Sequence, residues 1–285
     1  MKRIGLYVKH DEEAIRKADA LEEWLCSKQI EVIREEAHSP ELRQEDTAKA
    51  NNSAPSDLFC AFVLGGDGTF LSASRWIGCH DIPLIGVKFG EIGFLAETVE
   101  ENLFSAAEMI ISNHFSIEER MRLKVQVFRD GQELACENIL NEVVVNKRAL
   151  ARLANIETYI DDHYLTTYRS DGLIVASPTG STGYSLAAGG PIIHPAVHGI
   201  ILAPICPFTL TNRAMIVPDT VCIKIKLSAD TTDIVGTFDG QAGIQLDPRD
   251  TVVISKSRHP IRLITLPGQN YFDILKTKLR WSGRV

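Results

Sequence analysis

The segment whose residues could most clearly carry out chemistry has an acidic residue surrounded by three glycines and a threonine. Residues 65–69 read Gly-Gly-Asp-Gly-Thr; an apolar run, residues 58–64, precedes them, and apolar residues at helical spacing follow. A strand, a glycine loop and a helix start together present backbone N–H groups to an anion, and glycine lets phosphate approach the main chain. The segment therefore predicts a phosphate-binding loop made by Gly65, Gly66, Gly68 and Thr69.

Asp67 decides what such a loop could do. A carboxylate inside an anion-binding loop repels phosphate, which makes sense if the group removes a proton from a hydroxyl or helps to hold a metal ion. The loop is not a P-loop, because G-x-x-x-x-G-K-[ST] is absent, and it is not a dinucleotide fingerprint, because Leu71 occupies the third glycine position. Without Asp67, a simple tight turn would explain the glycines equally well.

A second segment is rich in glycine and hydroxyl groups. Residues 168–191 hold Thr179, Ser181, Thr182, Tyr184 and Ser185 and contain no lysine. Hydroxyls that both donate and accept suit a neutral, polyhydroxylated ligand, and the missing lysine spares a pyridinium ring from repulsion. From the residues alone, the alternative is a β-rich core segment whose hydroxyls satisfy their own turns.

The first half of the chain has an α/β pattern. Residues 3–8, 31–34, 58–64 and 83–87 are short apolar runs of strand type, and residues 15, 18, 21, 24 and 25 are apolar at helical spacing. Continuous apolar strands separated by helices indicate a mostly parallel sheet. We expect this domain to cover residues 1–115.

The second half changes period. Residues 121–127 alternate apolar and polar side chains, Asp130-Gly131 supplies a hairpin turn, and residues 221–227, 251–255 and 261–266 are further strands. We therefore expect a mainly β, sandwich-like domain over residues 116–269. A helix over residues 271–280 would return the C-terminal segment, residues 270–285, to the first domain.

Composition excludes several classes of function. The formal net charge of −7 attracts neither nucleic acid nor an anionic membrane surface. Residues 172–212 carry no Asp, Glu, Lys or Arg, but glycines and prolines interrupt every window that a spanning helix needs. Six widely spaced cysteines without C-x-x-C, and a start without a signal sequence, favour a cytoplasmic protein. No nucleic-acid or membrane partner is expected.

These motifs resemble those of known kinases. The GGDGT sequence is similar to the signature shared by NAD kinases, diacylglycerol and sphingosine kinases, and 6-phosphofructokinases. Residues 168–191 closely resemble the long glycine-rich and hydroxyl-rich segment of NAD kinases. Asn141-Glu142, the FDGQ sequence ending at Gln241 and the LRWSG sequence, residues 279–283, are also similar to that family, so the resemblance covers nearly the whole chain.

The resemblance implies a reaction and a set of site residues. An NAD kinase transfers the γ-phosphoryl group of ATP to the 2′-hydroxyl of the adenosine ribose of NAD, and Asp67 would be the base, in a cleft between the two domains. The implied NAD-binding residues are Asp67, Gly68, Asn141, Glu142, Arg152, Arg169, Asp171, Thr182, Gly183, Tyr184, Ser185, Leu186, Ala187 and Gln241. The implied ATP loop comprises Gly65, Gly66, Gly68 and Thr69, with Arg75 either steadying the triphosphate or lying on a solvated helix face. Asp239 is expected to be a turn residue.

The resemblance also implies partners. A divalent cation, Mg²⁺, would be carried mainly by ATP, with no protein metal ligand, and polyphosphate is a possible substitute donor. NAD kinases are typically homo-oligomers, here a dimer or a tetramer. Two alternatives stay open: a lipid or sugar kinase that uses the shared loop, and a sensor that binds NAD or NADP without catalysis. Intact Asp67 and intact glycines argue against a degenerate sensor.

Overall fold

A computed structural model describes residues 2–37, 41–42, 53–89, 93–148 and 153–281. Arg152 lies outside this part of the chain. The described parts of residues 1–38, 50–119 and 261–285 form one compact unit, and those of residues 39–49 and 120–260 form a second. In the described ranges, no helix has both the length and the apolar composition that crossing a bilayer requires.

The secondary structure follows the chain in this order. The first elements are β1 Arg3–Val8, α1 Glu12–Ser27, β2 Glu31–Glu36, β3 Glu41–Leu42, β4 Cys60–Leu64, α2 Asp67–Trp76, β5 Leu84–Lys88, β6 Thr98–Val99, α3 Leu103–Ile111 and β7 Ser116–Arg120. The next are β8 Leu123–Arg129, β9 Gln132–Ile139, β10 Glu142–Lys147, β11 Ala154–Ile160, β12 His163–Ser170, β13 Gly172–Ala176, α4 Tyr184–Ala187 and β14 Gly199–Ile205. The last are β15 Met215–Pro218, β16 Ile223–Leu227, β17 Ile234–Phe238, β18 Ala242–Leu246, β19 Asp250–Lys256, β20 Ile261–Thr265 and α5 Tyr271–Leu279.

The first unit is an α/β layer structure, as the apolar strand runs predicted. Its sheet has the order β2-β1-β4-β5-β20-β7, and the pairs β1–β2, β1–β4, β4–β5 and β5–β20 are parallel. Helices α1 and α3 share one core cluster with β1, β4 and β5. On the other face, Trp76 of α2 packs on Tyr7, with ring centroids 5.4 Å apart. The strands are continuously apolar because both faces of the sheet are covered.

Strand β20 differs from the sequence-based expectation. Its sequence was expected to lie among the β strands of the second half, next to residues 251–255. Instead β20 is part of the parallel sheet, where Leu263 is opposite Leu84 of β5. Helix α5 follows it, with the Asn270 side chain accepting the backbone N–H of Phe272 at its start.

The second unit is a β-sandwich. One sheet has the order β15-β14-β13-β10-β17-β18-β3 and the other β12-β11-β16-β19-β8-β9. Val143, Val175 and Leu202 of the first sheet share one core cluster with Val125 and Ile225 of the second. The Asp130-Gly131 turn between β8 and β9 has positive φ at both residues, 49° and 83°, as a tight hairpin turn requires.

Strand β13 is buried on both faces. Leu173 and Val175 face the core between the sheets, while Ile174 and Ala176 join a second cluster with Val144, Ile201 and Ile193. This double burial explains the long uncharged stretch of the sequence. It also brings the chain that follows β13, with its glycines and hydroxyls, onto the outer face of the first sheet.

Candidate active site

The glycine loop lies at the carboxyl edge of the parallel sheet. The strand order reverses direction between β1 and β4, because β2 lies on one side of this pair and β5 on the other. Ligands of open α/β sheets bind outside the carboxyl ends of the strands at such a reversal. Residues 65–69 directly follow β4 and therefore occupy this position.

The loop backbone is built tightly. The Gly65 N–H donates to the Val87 carbonyl at 2.9 Å, and Gly66 is the N-cap of α2, so that the helix begins at Asp67. A Cβ on Gly65 would lie 2.4 Å from Thr69 Oγ1, so glycine is required for Thr69 to fold beneath the loop. The first N–H groups of a helix lack intrahelical acceptors and carry partial positive charge, which favours an anion here.

Backbone amides hold the Asp67 carboxylate from one side. Oδ2 accepts the N–H of Phe94 at 3.0 Å, and Oδ1 accepts the N–H groups of Leu95 and Ala96 at 3.1 and 3.3 Å. A Cβ on Gly93 would lie 2.0 Å from Oδ1, so only glycine lets this segment approach the carboxylate. The sequence reading missed residues 93–96, and Gly93 was the one local signal for them.

Arg75 does not join the loop. It lies in the last turn of α2, eight residues after Asp67, which is about 12 Å along the helix axis. The length of α2 therefore separates Arg75 from the phosphate-binding end of the helix.

In the second unit, Asn141 and Glu142 are fixed by a residue far away in sequence. Asp239 Oδ1 accepts the backbone N–H groups of Asn141 and Glu142 at 2.7 and 3.1 Å, and Oδ2 accepts that of Leu140 at 2.9 Å. Asp239 is a turn residue, as expected, with φ of 50°. Its buried carboxylate also anchors the Asn-Glu pair, a role that the sequence reading missed. Gln241 follows in the same turn, and its N–H donates to Phe238.

Glu142 is the most strongly perturbed acid of the site. Burial raises the pKa of Glu142 to about 7, the Asp239 carboxylate adds to this rise, and the backbone N–H of Tyr184 opposes it. Oε2 is buried and lacks a hydrogen-bond partner, and it lies 2.9 Å from the position that a Cβ on Gly183 would take. Glu142, Gly183 and Tyr184 therefore lie close together.

The hydroxyls after β13 are used mostly inside the protein. Ser177 Oγ donates to the Leu140 carbonyl at 2.5 Å, and Ser181 Oγ both donates to the carbonyl and accepts the N–H of Ile193. Thr182 Oγ1 donates to the Thr179 carbonyl at 3.2 Å. For these three residues the alternative reading, hydroxyls that satisfy their own turns, describes the contacts.

In this segment, the groups that stay accessible to a ligand are in the helical turn α4. Tyr184 is 46% exposed, Leu186 is half-buried and Ala187 is exposed. Ser185 Oγ is buried without a partner and close to Gly190. Gly180 packs against the Asn141 backbone, since a Cβ there would lie 2.3 Å from the Asn141 carbonyl oxygen.

Arg169 and Asp171 lie at the other end of the β10–β13 pair. Asp171 forms an ion pair with Lys147 at 2.7 Å, and the Arg169 guanidinium lies over the Phe208 ring, 4.7 Å from its centroid. Glu142 is opposite Ala176, so five strand residues, about 17 Å, separate Glu142 from Lys147. The second unit does not bring these two predicted residues to the Glu142 cluster. Among the described residues, no group of three or more His, Cys, Asp or Glu side chains could hold a metal ion.

Comparisons with known proteins show which family this chain resembles. The family model "ATP-NAD kinase N-terminal domain" matches residues 4–115, and "ATP-NAD kinase C-terminal domain" matches residues 140–266. The NAD kinase of Desulfatibacillum aliphaticivorans is 53% identical over 284 residues, which covers 99% of each chain.

Two solved structures share the fold. Yeast NADH kinase complexed with NADH has a TM-score of 0.86 at 21% identity and covers 100% of this chain and 89% of its own. An NAD kinase from Archaeoglobus fulgidus in complex with ATP has a TM-score of 0.76 at 24% identity and covers 99% of this chain and 100% of its own.

Proposed function

The chain belongs to the NAD kinase family and phosphorylates NAD with ATP, and we propose that Asp67 takes the proton of the attacking hydroxyl. The reaction moves the γ-phosphoryl group of ATP to the 2′-hydroxyl of the adenosine ribose and gives NADP and ADP. Such a transfer depends mainly on positioning and on neutralising charge.

The hydrogen bonds of Asp67 support its role as the base. A carboxylate offers about four lone-pair positions, and two N–H groups at Oδ1 and one at Oδ2 occupy three of them. The remaining position is on Oδ2, where the hydroxyl proton would be accepted. The three amides hold the carboxylate in one orientation, so that no side-chain rearrangement is needed at the moment of reaction.

Mg²⁺ is proposed to enter with ATP. Asp67 is the only carboxylate of residues 65–69, and its oxygens already accept three N–H groups. The loop therefore suits a cation that is held by phosphate oxygens and water, the usual state of Mg²⁺ at nucleotide sites. When bound, the cation would neutralise charge on the triphosphate.

For NAD, we propose that Glu142 and Asn141 receive the adenosine end. The unpartnered Oε2 of Glu142 can accept a ribose hydroxyl, and the Asn141 amide can both donate and accept. Gly183 and Tyr184 lie beside Glu142, and Gln241 is in the turn that holds Asp239.

An end-point assay tests the reaction. Purified protein with ATP, Mg²⁺ and NAD should yield NADP, detected with an NADP-specific dehydrogenase, and polyphosphate in place of ATP tests the donor. Asp67→Asn should lose roughly 10²–10⁴-fold in turnover, the usual range for a general base. Turnover close to wild type in this variant would contradict the role of Asp67.

The asparagine variant needs a control for its geometry. All three contacts of the carboxylate are N–H donors, so one of them would face the asparagine amide group, at a cost of about 1–3 kcal/mol. Thermal unfolding and ADP affinity of Asp67→Asn separate this local cost from lost catalysis. Asp57→Asn, at an exposed ion pair with Arg3, is the matched carboxylate control and should keep full turnover.

We further propose a homo-oligomer in which the Arg169 end of one copy completes the site of another. Phe208 and Leu210, next to Arg169, are 65% and 84% exposed, an apolar surface that suits a contact between copies. Light scattering of Phe208→Ser should show a smaller assembly. Mixing inactive Asp67→Asn with inactive Asp171→Asn should restore activity after subunit exchange, and a mixture that stays inactive would contradict shared sites.

A cytoplasmic location is proposed on the basis of the cysteines. All six lie in the described part of the chain and none of them forms a disulfide bond, as expected in a reducing compartment. Cell fractionation should recover the NADP-forming activity with cytoplasmic markers, and recovery with exported proteins would contradict the proposal.

A further inference from the structure

Lys88 ends strand β5 beside the glycine loop and has no role in the site described above. Its Cε lies 3.8 Å from the position that a Cβ on Gly66 would occupy. Gly66 is the N-cap of α2, so the lysine side chain runs along the end of the helix that favours anions. The ammonium group is one bond beyond Cε.

The backbone fixes this placement. Strands β4 and β5 are parallel neighbours, with Leu64 opposite Val87, and the Gly65 N–H donates to the Val87 carbonyl. The residue after Val87 must therefore emerge beside Gly65 and Gly66. The backbone position of Lys88 follows from the register of the sheet, and from there its side chain reaches Gly66.

The charges around Lys88 leave it available to a ligand. In the part of the chain that the structure describes, no carboxylate pairs with Lys88. Lys9, which follows the neighbouring strand β1, is by contrast paired with Asp11 at 2.7 Å. Asp67 directs its oxygens to the amides of residues 94–96.

Lys88 is half-buried next to the N-terminus of α2, which carries partial positive charge, so the two repel each other. A bound anion would remove that repulsion. We propose that Lys88 binds the terminal phosphate oxygens of the phosphoryl donor above Gly66 and neutralises charge during transfer. The inference rests on the ATP site proposed for residues 65–69 and adds a binding residue to it. Lysine acts on phosphate as a flexible point charge with three donors, so its reach fits a group that changes position during the reaction.

Steady-state kinetics provide the first test. Lys88→Met removes the charge at nearly equal length and should raise KM for ATP about 10- to 100-fold, the range for one hydrogen bond to a charged group. KM for NAD should stay close to wild type, and Lys88→Arg should restore most of the ATP affinity. Lys9→Met removes a lysine from the same edge of the sheet and should leave both constants unchanged.

Nucleotide binding separates a phosphate contact from a structural role. Calorimetry with ATP, ADP and AMP should show that Lys88→Met weakens the binding of ATP most, that of ADP less and that of AMP little. Equal weakening of all three nucleotides and of NAD, with a lowered Tm, would show a structural role and overturn the proposal, as would unchanged ATP affinity. Binding does not require turnover, so a wild type that forms no NADP would refute the proposed function while the nucleotide series still decides on Lys88.

Discussion

Replacing Glu142 by glutamine should stabilise the second unit, and the gain should grow as pH rises from about 5 to about 7. Burial raises the pKa of Glu142 from 4.5 to about 7. Between these values the folded protein holds a proton on Glu142 that the unfolded chain has released. Stability therefore falls as pH rises through this window, and the full penalty is present above pH 7.

The size of the effect follows from the pKa. One pKa unit corresponds to about 1.4 kcal/mol, so the shift amounts to about 3 kcal/mol. Glu142→Gln cannot ionise and escapes this penalty, and its carboxamide oxygen can still accept the backbone N–H of Tyr184 that lies beside Glu142. The free energy of unfolding of the variant minus that of the wild type should grow by about 3 kcal/mol between pH 5 and pH 8.

The assay must report on the second unit. All three tryptophans, Trp24, Trp76 and Trp281, lie in the first unit, so their fluorescence is unsuitable. Hydrogen exchange of the β10 amides, compared between the two proteins at the same pH, cancels the intrinsic rates and gives the difference in opening free energy. A difference that is constant with pH, or larger at pH 5 than at pH 8, would refute the reasoning. Affinity for NAD should fall in the same variant, because the acceptor for the ribose is weakened.

Three further changes test individual contacts. Gly93→Ala places a Cβ 2.0 Å from Asp67 Oδ1, so turnover should fall by about 10²-fold or more while NAD still binds, and normal kcat would contradict the importance of this contact. Ser181→Ala leaves the Ile193 N–H and carbonyl without their partner, which should lower the free energy of unfolding by about 1–3 kcal/mol without changing KM for NAD in steady-state assays. Arg75→Ala should leave KM for ATP unchanged, since its place on α2 is far from the loop; a large increase would restore Arg75 to the phosphate site.

Local patterns in the sequence were sufficient for much of the fold. Continuous apolar runs predicted β1, β4 and β5, because strands covered on both faces need no polar alternation. Alternation predicted the strands of the sandwich, and the Asp130-Gly131 pair predicted its turn. Phosphate binding by residues 65–69 could also be predicted from the sequence, since the glycines, the strand and the helix start are all local signals.

Contacts between distant residues were not readable in this way. Asp239 is about a hundred residues from the Asn141 and Glu142 amides that it holds, and Asp67 is 27 to 29 residues from the amides that it accepts. Strand β20 has the composition of either sheet, and its partner is decided by packing against β5. The secondary-structure propensity of a residue depends on its neighbours in sequence. These contacts depend instead on how side chains are buried across the whole unit.

Motif residues were sufficient to identify the family and the reaction, and they singled out Asp67 as the proposed base, because such residues have the same chemistry wherever they lie. The sequence left open which hydroxyls serve a ligand and which serve the protein. Only the tertiary structure showed that Ser177, Ser181 and Thr182 bond to nearby backbone, that burial changes Glu142, and that Lys88 reaches Gly66. A hydrogen bond or a pKa depends on distance and solvent access, and both exist only once the chain has folded.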